Sequence, residues 1–130
     1  MRFLFFIIFL SFNYVFAQNI ILEEDFEVMS QDNLPELWSQ YTLSDDGGWL
    51  HGSSNELQSN WWGIEPHGNF IATNDDACDC NKSEDYLILP PLNFNDVDNA
   101  ILSFASFFSG ENFEGSTDVA TIEYSIDGGN

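Results

Sequence analysis

Basic residues are almost missing from this chain. Among 130 residues there are two Lys or Arg against 22 Asp and Glu, a formal net charge of −20. Such a surface repels nucleic acid, which is itself anionic, and it repels anionic lipid. Cysteine is equally scarce. The only two, Cys78 and Cys80, stand one residue apart, which excludes a scaffold held by several spaced disulfides. The pair can close a small ring, bind a soft metal or stay reduced. Zinc usually needs two spaced ligand pairs, and His51 and His67 are both distant from the cysteines in sequence. No stretch of the mature chain carries a helical period long enough for a stable helix. That argues against a helical bundle.

The N-terminus has the layout of a cleavable signal peptide. Arg2 is the positive start and residues 3–10 are an unbroken apolar run. Val15 and Ala17 then place small residues before Gln18. The run is too short to cross roughly 30 Å of hydrocarbon. Residues 1–17 are therefore expected to be removed on export, leaving 18–130 as one secreted or cell-surface domain with no membrane insertion. Cleavage leaves Lys82 as the only Lys or Arg against all 22 acids.

What the chain does contain is aromatic residues, at 16%. Disordered acidic segments lack these, so a folded domain is expected. Short apolar runs alternate with Gly-rich polar turns. Strands are expected at residues 20–22 with Phe26, and at 37–43, 49–51, 69–73 and 85–89. Pro90 and Pro91 end the last of these. Asp45-Asp46-Gly47-Gly48 is a turn. Residues 100–108 form a long apolar run. Residues 118–126 alternate strictly, with Ile122 and Tyr124 on a face to be buried and Thr121 and Glu123 on a wet one. Asp127-Gly128-Gly129 is a hairpin signal without a returning strand. The expected fold is all-β, a jelly-roll-like antiparallel sandwich incomplete at its C-terminus.

The segment with the richest ligand chemistry is 75–85. Asp75 and Asp76 precede Asp79, Asn81, Ser83 and Asp85, which fall at alternate positions as in a Ca²⁺ loop. It is not an EF-hand, because Glu84 and Pro90 stand where Gly and a bidentate Glu are required. Mg²⁺ suits such a loop less, since it keeps its waters. Asp45 and Asp46 form another acidic cluster. Trp49, Trp61 and Trp62 lie in or beside polar loops and are candidates for stacking against sugar rings; Trp38 is expected in the core. Catalysis has little support. Carboxylates are plentiful, but no nucleophile is placed beside His51 or His67 and no Gly-x-Ser-x-Gly elbow occurs. Asn81-Lys82-Ser83 fits a glycosylation sequon.

Several short motifs in order carry a family resemblance. They are Glu24-Asp25-Phe26-Glu27, Leu34-Pro35 before Trp38, Asp45-Asp46-Gly47-Gly48-Trp49, and His67-Gly68-Asn69. Asp85-Tyr86-Leu87-Ile88-Leu89-Pro90-Pro91-Leu92, Leu102-Ser103-Phe104 and Glu123-Tyr124-Ser125-Ile126-Asp127-Gly128-Gly129 follow. This order resembles the MAM-like jelly-roll domains of secreted Bacteroidetes proteins, the cleaved-adhesin or choice-of-anchor J domains found in gingipain adhesins. The resemblance covers nearly all of the mature chain. It implies a non-catalytic module of a larger surface protein, binding extracellular protein or glycan, often with structural Ca²⁺. Asp25 and Glu27, an acidic cluster at the first expected strand that matches the opening motif, join the metal candidates by their ligand chemistry. The family continues past the Asp-Gly-Gly turn with a Trp and more strands, which this sequence lacks. The competing expectation is an accessory domain of a secreted peptidase or glycoside hydrolase whose chemistry lies elsewhere.

Overall fold

Gly47 and Gly48 reverse the chain between its first two strands, and both adopt left-handed φ values, 99° and 82°. A Cβ on Gly48 would sit 2.7 Å from Gln40 Oε1 and 2.8 Å from Thr42 Cβ. Only glycine fits there. The computed structural model that shows this describes residues 19–27, 34–60, 62–108, 110 and 112–128. The expected signal segment 1–17 and Trp61 lie outside the described residues.

The elements in order are β1 (Ser39–Tyr41), β2 (Leu50–Gly52), α1 (Ser54–Leu57), β3 (Phe70–Ala72), α2 (Asp75–Cys78), β4 (Tyr86–Ile88), β5 (Asn112–Phe113) and β6 (Ser116–Thr117). They form three antiparallel pairs, β1–β4, β2–β3 and β5–β6. Tyr41 faces Tyr86 across the first pair, and His51 faces Ile71 across the second. The chain is thus β-rich, with small sheets and two short helical turns. No helix among the described residues is long and apolar enough to cross a membrane.

The helical turns are built by side chains rather than by propensity. Ser53 caps α1, and Glu56 Oε2 reaches back to accept from Ser53 N at 2.8 Å and Ser53 Oγ at 2.7 Å. Asn74 caps α2 by accepting from Ala77 N, while its amide donates to Leu57 O at 2.9 Å. One side chain therefore joins the end of α1 to the start of α2. Asp79 closes α2 in the left-handed region, φ 51°. Leu57, Ile64 and Ala72 are buried, with His51 and Ser54 beside them in the buried set. Burying a side chain such as Leu57 contributes about 1.5–3 kcal/mol. Trp38, expected in the core, is half-buried and meets Phe26 edge-to-face at 5.8 Å.

Four expected strands appear: those at β1, β3 and β4 are shortened, and that at 49–51 is shifted by one residue to β2. Others do not. Residues 20–22 make no ladder. Local turns follow them instead, with Glu24 Oε1 accepting from Phe26 N and Asp25 Oδ1 from Glu27 N. Residues 100–108 and 118–126 also form no strands. Ile122 is 66% exposed and Tyr124 93%, the reverse of the burial expected from alternation. Period two sorts side chains onto two faces, but only an opposing layer buries one of them. No such layer covers them among the described residues. The hairpin β5–β6 was unexpected. Its loop is Glu114-Gly115, both with positive φ, which matches the twist of a two-residue hairpin turn.

Candidate functional site

Asp85 stands just before β4, and its carboxylate is almost wholly enclosed, 2% exposed. Three hydroxyls donate to it. Thr42 Oγ1 and Ser44 Oγ, just beyond β1, reach Oδ1, the latter at 3.1 Å. Thr73 Oγ1, just beyond β3, reaches Oδ2 at 2.6 Å. Trp49 Nε1 donates to the Asp85 carbonyl at 3.1 Å. The node thus joins the two larger strand pairs through one carboxylate.

Lys82 supplies the compensating charge. Its ammonium lies 3.3 Å from Asp85 Oδ2, pairs with Asp46 Oδ1, and donates to Gly48 O at 3.1 Å and Ser44 Oγ at 3.3 Å. The Lys82 side chain is only 9% exposed. Enclosed charges are tolerated only when paired and hydrogen-bonded, and both conditions hold here. Burial alone pushes Asp85 up, but the Thr42, Thr73 and Ser44 hydroxyls and the Lys82 charge outweigh it and hold the carboxyl below its ordinary value. For Asp46 burial again pushes up, and the Lys82 and Gly48 hydrogen bonds win. A carboxylate held this low is a poor general base.

This arrangement does not fit the Ca²⁺ loop expected at 75–85. Asp75 and Asp76 lie exposed in the first turn of α2. Asp79 closes that turn, and Asn81 Oδ1 accepts from Ser83 N at 2.9 Å. Asp85 is turned into the node. Alternate positions converge only if the backbone curls around an ion; here it makes a helical turn and then a local side-chain turn. Asp25 and Glu27 lie in the turns before β1. Glu27 Oε1 accepts from Asn69 N at 3.1 Å and presses on Gly68, where a Cβ would come within 1.7 Å of it.

Among the described residues, one set of three His, Cys, Asp or Glu side chains brings its donor atoms within 4.8 Å of one another: Asp46, Cys78 and Cys80. The cysteines are joined as a disulfide with Cα atoms 5.1 Å apart, which decides among the three states the sequence left open. Of the stacking candidates, Trp49 is half-buried and tied to Asp85. Trp62 is half-buried and stacks on Phe107 at 5.7 Å. Sequence reasoning did not single out Tyr41 and Tyr86, which stand 49% and 48% exposed with ring centroids 6.1 Å apart. It also missed Thr42, Ser44 and Thr73.

His67 stacks on Phe70 at 4.7 Å and its Nδ1 meets Glu65 O. His51 is buried. Its Nε2 lies 2.7 Å from Phe26 O, and Nδ1 has no hydrogen-bond partner among the described residues. A cavity of about 300 Å³ adjoins it, lined also by Gln40, Asp46, Trp49 and Leu50. No nucleophile stands with either histidine in these contacts.

Comparison with protein families, curated proteins and solved structures finds nothing that matches this chain.

Proposed function

We propose that the chain is an exported recognition or adhesion module of a larger surface protein, built as an antiparallel β-sandwich of the MAM-like kind. The observation that carries this reading is the cross-strand pair Tyr41 and Tyr86. In β1 and β4 the facing residues Gln40 and Leu87 are half-buried, while Ser39, Tyr41, Tyr86 and Ile88 are exposed. Two half-exposed rings directly opposite each other offer apolar faces with hydroxyls at their edges. That chemistry suits the C–H face of a sugar ring or an apolar side chain of an extracellular protein. The node behind the pair supports the reading, because it fixes the two strands and leaves no enclosed carboxylate unsatisfied. A disulfide and a surface nearly free of basic residues both support an extracellular setting.

The test is a binding screen of the mature chain on immobilised glycans and extracellular-matrix proteins, with Tyr41→Ala/Tyr86→Ala as the variant. The expected result is at least one ligand class bound by the native chain and lost by the variant, with melting temperature little changed. Retained binding would overturn the proposal. So would a large drop in melting temperature, which would make this face the inner face of a sandwich.

A further inference from the structure

We infer that the exposed face of β1 and β4 docks a basic, extended segment of an extracellular protein, with an Arg or Lys side chain seated on Tyr41 and Tyr86. This rests on the recognition reading given above and narrows it to one class of partner. Tyr41 and Tyr86 stand opposite each other, each about half exposed, with ring centroids 6.1 Å apart. One cation can therefore lie within about 6 Å of both centroids, the range over which a ring face attracts an ammonium or guanidinium. Ile88, on the same strand as Tyr86, is 46% exposed, and Leu43, two residues after Tyr41, is 66% exposed. They offer apolar surface for the aliphatic stem of such a side chain, whose charged end stays in water.

Charge decides between a basic partner and a neutral one. Lys82 is the only Lys or Arg among the described residues, and it is enclosed and paired with Asp46 and Asp85. With His counted neutral, every exposed charged side chain among the described residues is thus an acid. Some of these flank the tyrosine pair in sequence. Glu84 stands two residues before Tyr86, Glu36 three before the start of β1, and Asp45 four after Tyr41, and all are exposed. The ring faces are themselves negative. Rings and carboxylates together therefore favour a cation. A neutral glycan gains from the rings alone, and an acidic one is repelled. Arg fits better than Lys, because its planar guanidinium stacks on aromatic faces and is more weakly hydrated. In an extended segment alternate side chains point to one side. One basic residue can then sit on the ring pair while the next on that side reaches a flanking acid.

The experiment is titration of the mature chain with three labelled peptides of one extended sequence, carrying Arg, Lys or Gln at alternate positions. Affinity should fall in the order Arg, Lys, Gln, with the Arg peptide at least about tenfold tighter than the Gln peptide and weakened by salt. Tyr41→Ala/Tyr86→Ala leaves the net charge unchanged, so general attraction of a polycation survives in it. That variant should bind the Arg peptide at least about tenfold more weakly, while Tyr41→Phe/Tyr86→Phe, which keeps both rings, binds it as the native chain does. Undiminished binding by the Ala variant, or equal binding of the Arg and Gln peptides, overturns the proposal. Because the Ala variant can disturb folding, a second measurement uses the unmutated chain. Saturating Arg peptide should shield Tyr41 and Tyr86 from nitration and leave Tyr124, 93% exposed, reactive. Unshielded Tyr41 and Tyr86 overturn the proposal. A neutral glycan held by the tyrosine pair, with no basic peptide bound, overturns this partner and leaves the recognition reading standing; binding of neither removes both.

Discussion

Residues 34–92 and 93–128 have solved the problem of enclosure differently. The first region holds every buried side chain named above, yet its central feature is polar. Asp85 and Lys82 are enclosed because each arrives with its partners. In the second region every residue whose exposure is described is exposed, although its sequence is the more apolar. Ile101, Leu102, Phe104, Phe107 and Phe108 are between 53% and 80% accessible. Phe107 of this region stacks on Trp62 of the first. The lesson is that apolar patterning specifies a need for burial, whereas a satisfied polar node creates its own enclosure. The first depends on a surface supplied from elsewhere. The second depends on a few hydroxyls and one ammonium arriving together.

The comparison breaks most directly at Asp85. Asp85→Ala removes the acceptor that three hydroxyls share and leaves Asp46 as the only carboxylate paired with Lys82. Breaking an enclosed pair of this kind costs about 3–5 kcal/mol. Denaturant unfolding followed by Trp fluorescence measures it, and a loss under about 1 kcal/mol would mean that the node is not what holds the first region.

The pH dependence sharpens the same point. Both Asp85 and Asp46 are held below their ordinary values in the folded chain. Each then binds protons less readily folded than unfolded. Their contribution is present above the unfolded value, about 3.9, and is lost as pH falls through the folded values. Melting temperature should therefore decline on acidification below about pH 5. Asp85→Asn should flatten that decline while lowering stability at neutral pH. An acid slope identical to that of the native chain would remove Asp85 as its source.

The disulfide is expected to matter less. It closes a loop of only three residues, and loop-closure entropy for so short a ring is worth roughly 1.5 kcal/mol. Reduction should lower the unfolding free energy by about that amount, and Cys78→Ser/Cys80→Ser should match the reduced native chain. A much larger loss would show that the ring positions Lys82 and Asp46 as well as closing itself.

How much of this was legible follows the same division. The turn at 45–48 was readable because Asp-Asp-Gly-Gly allows little else. The short strands beside it were readable from apolar runs with punctuation. Lys82 stood out as the only Lys or Arg after Arg2, yet its partners did not. Thr42, Ser44 and Thr73 are ordinary strand-end hydroxyls, and only the pairing of β1 with β4 and β2 with β3 brings them to one carboxylate. The alternate spacing of Asp79, Asn81, Ser83 and Asp85 suggested a cation loop. Asn74 instead caps a helical turn at 75–78, Asp79 ends that turn, Asn81 accepts from Ser83 N, and Asp85 is taken up by hydroxyls and Lys82. Ser53 and Glu56 are a capping box that the sequence displayed. With only four residues in α1, no period accompanied it.

The smallest expected effect is the most decisive for the second region. Residues 118–126 alternate as a half-buried strand does, and a buried Ile122 truncated to Ala would cost about 2–5 kcal/mol. In the structure Ile122 is 66% exposed and has no ladder. Substitution at such a surface position usually changes stability by less than about 0.5 kcal/mol. Ile122→Ala and Thr121→Ala should therefore be nearly equal and both small in the isolated chain. The same pair measured in a longer chain that supplies an opposing layer should separate, with Ile122→Ala the costlier. If Ile122→Ala already costs more than about 2 kcal/mol in the isolated chain, its side chain is enclosed there. The contrast between a self-sufficient polar region and an uncovered apolar one would then collapse. If the two remain equal in the longer chain, the alternation records no buried face.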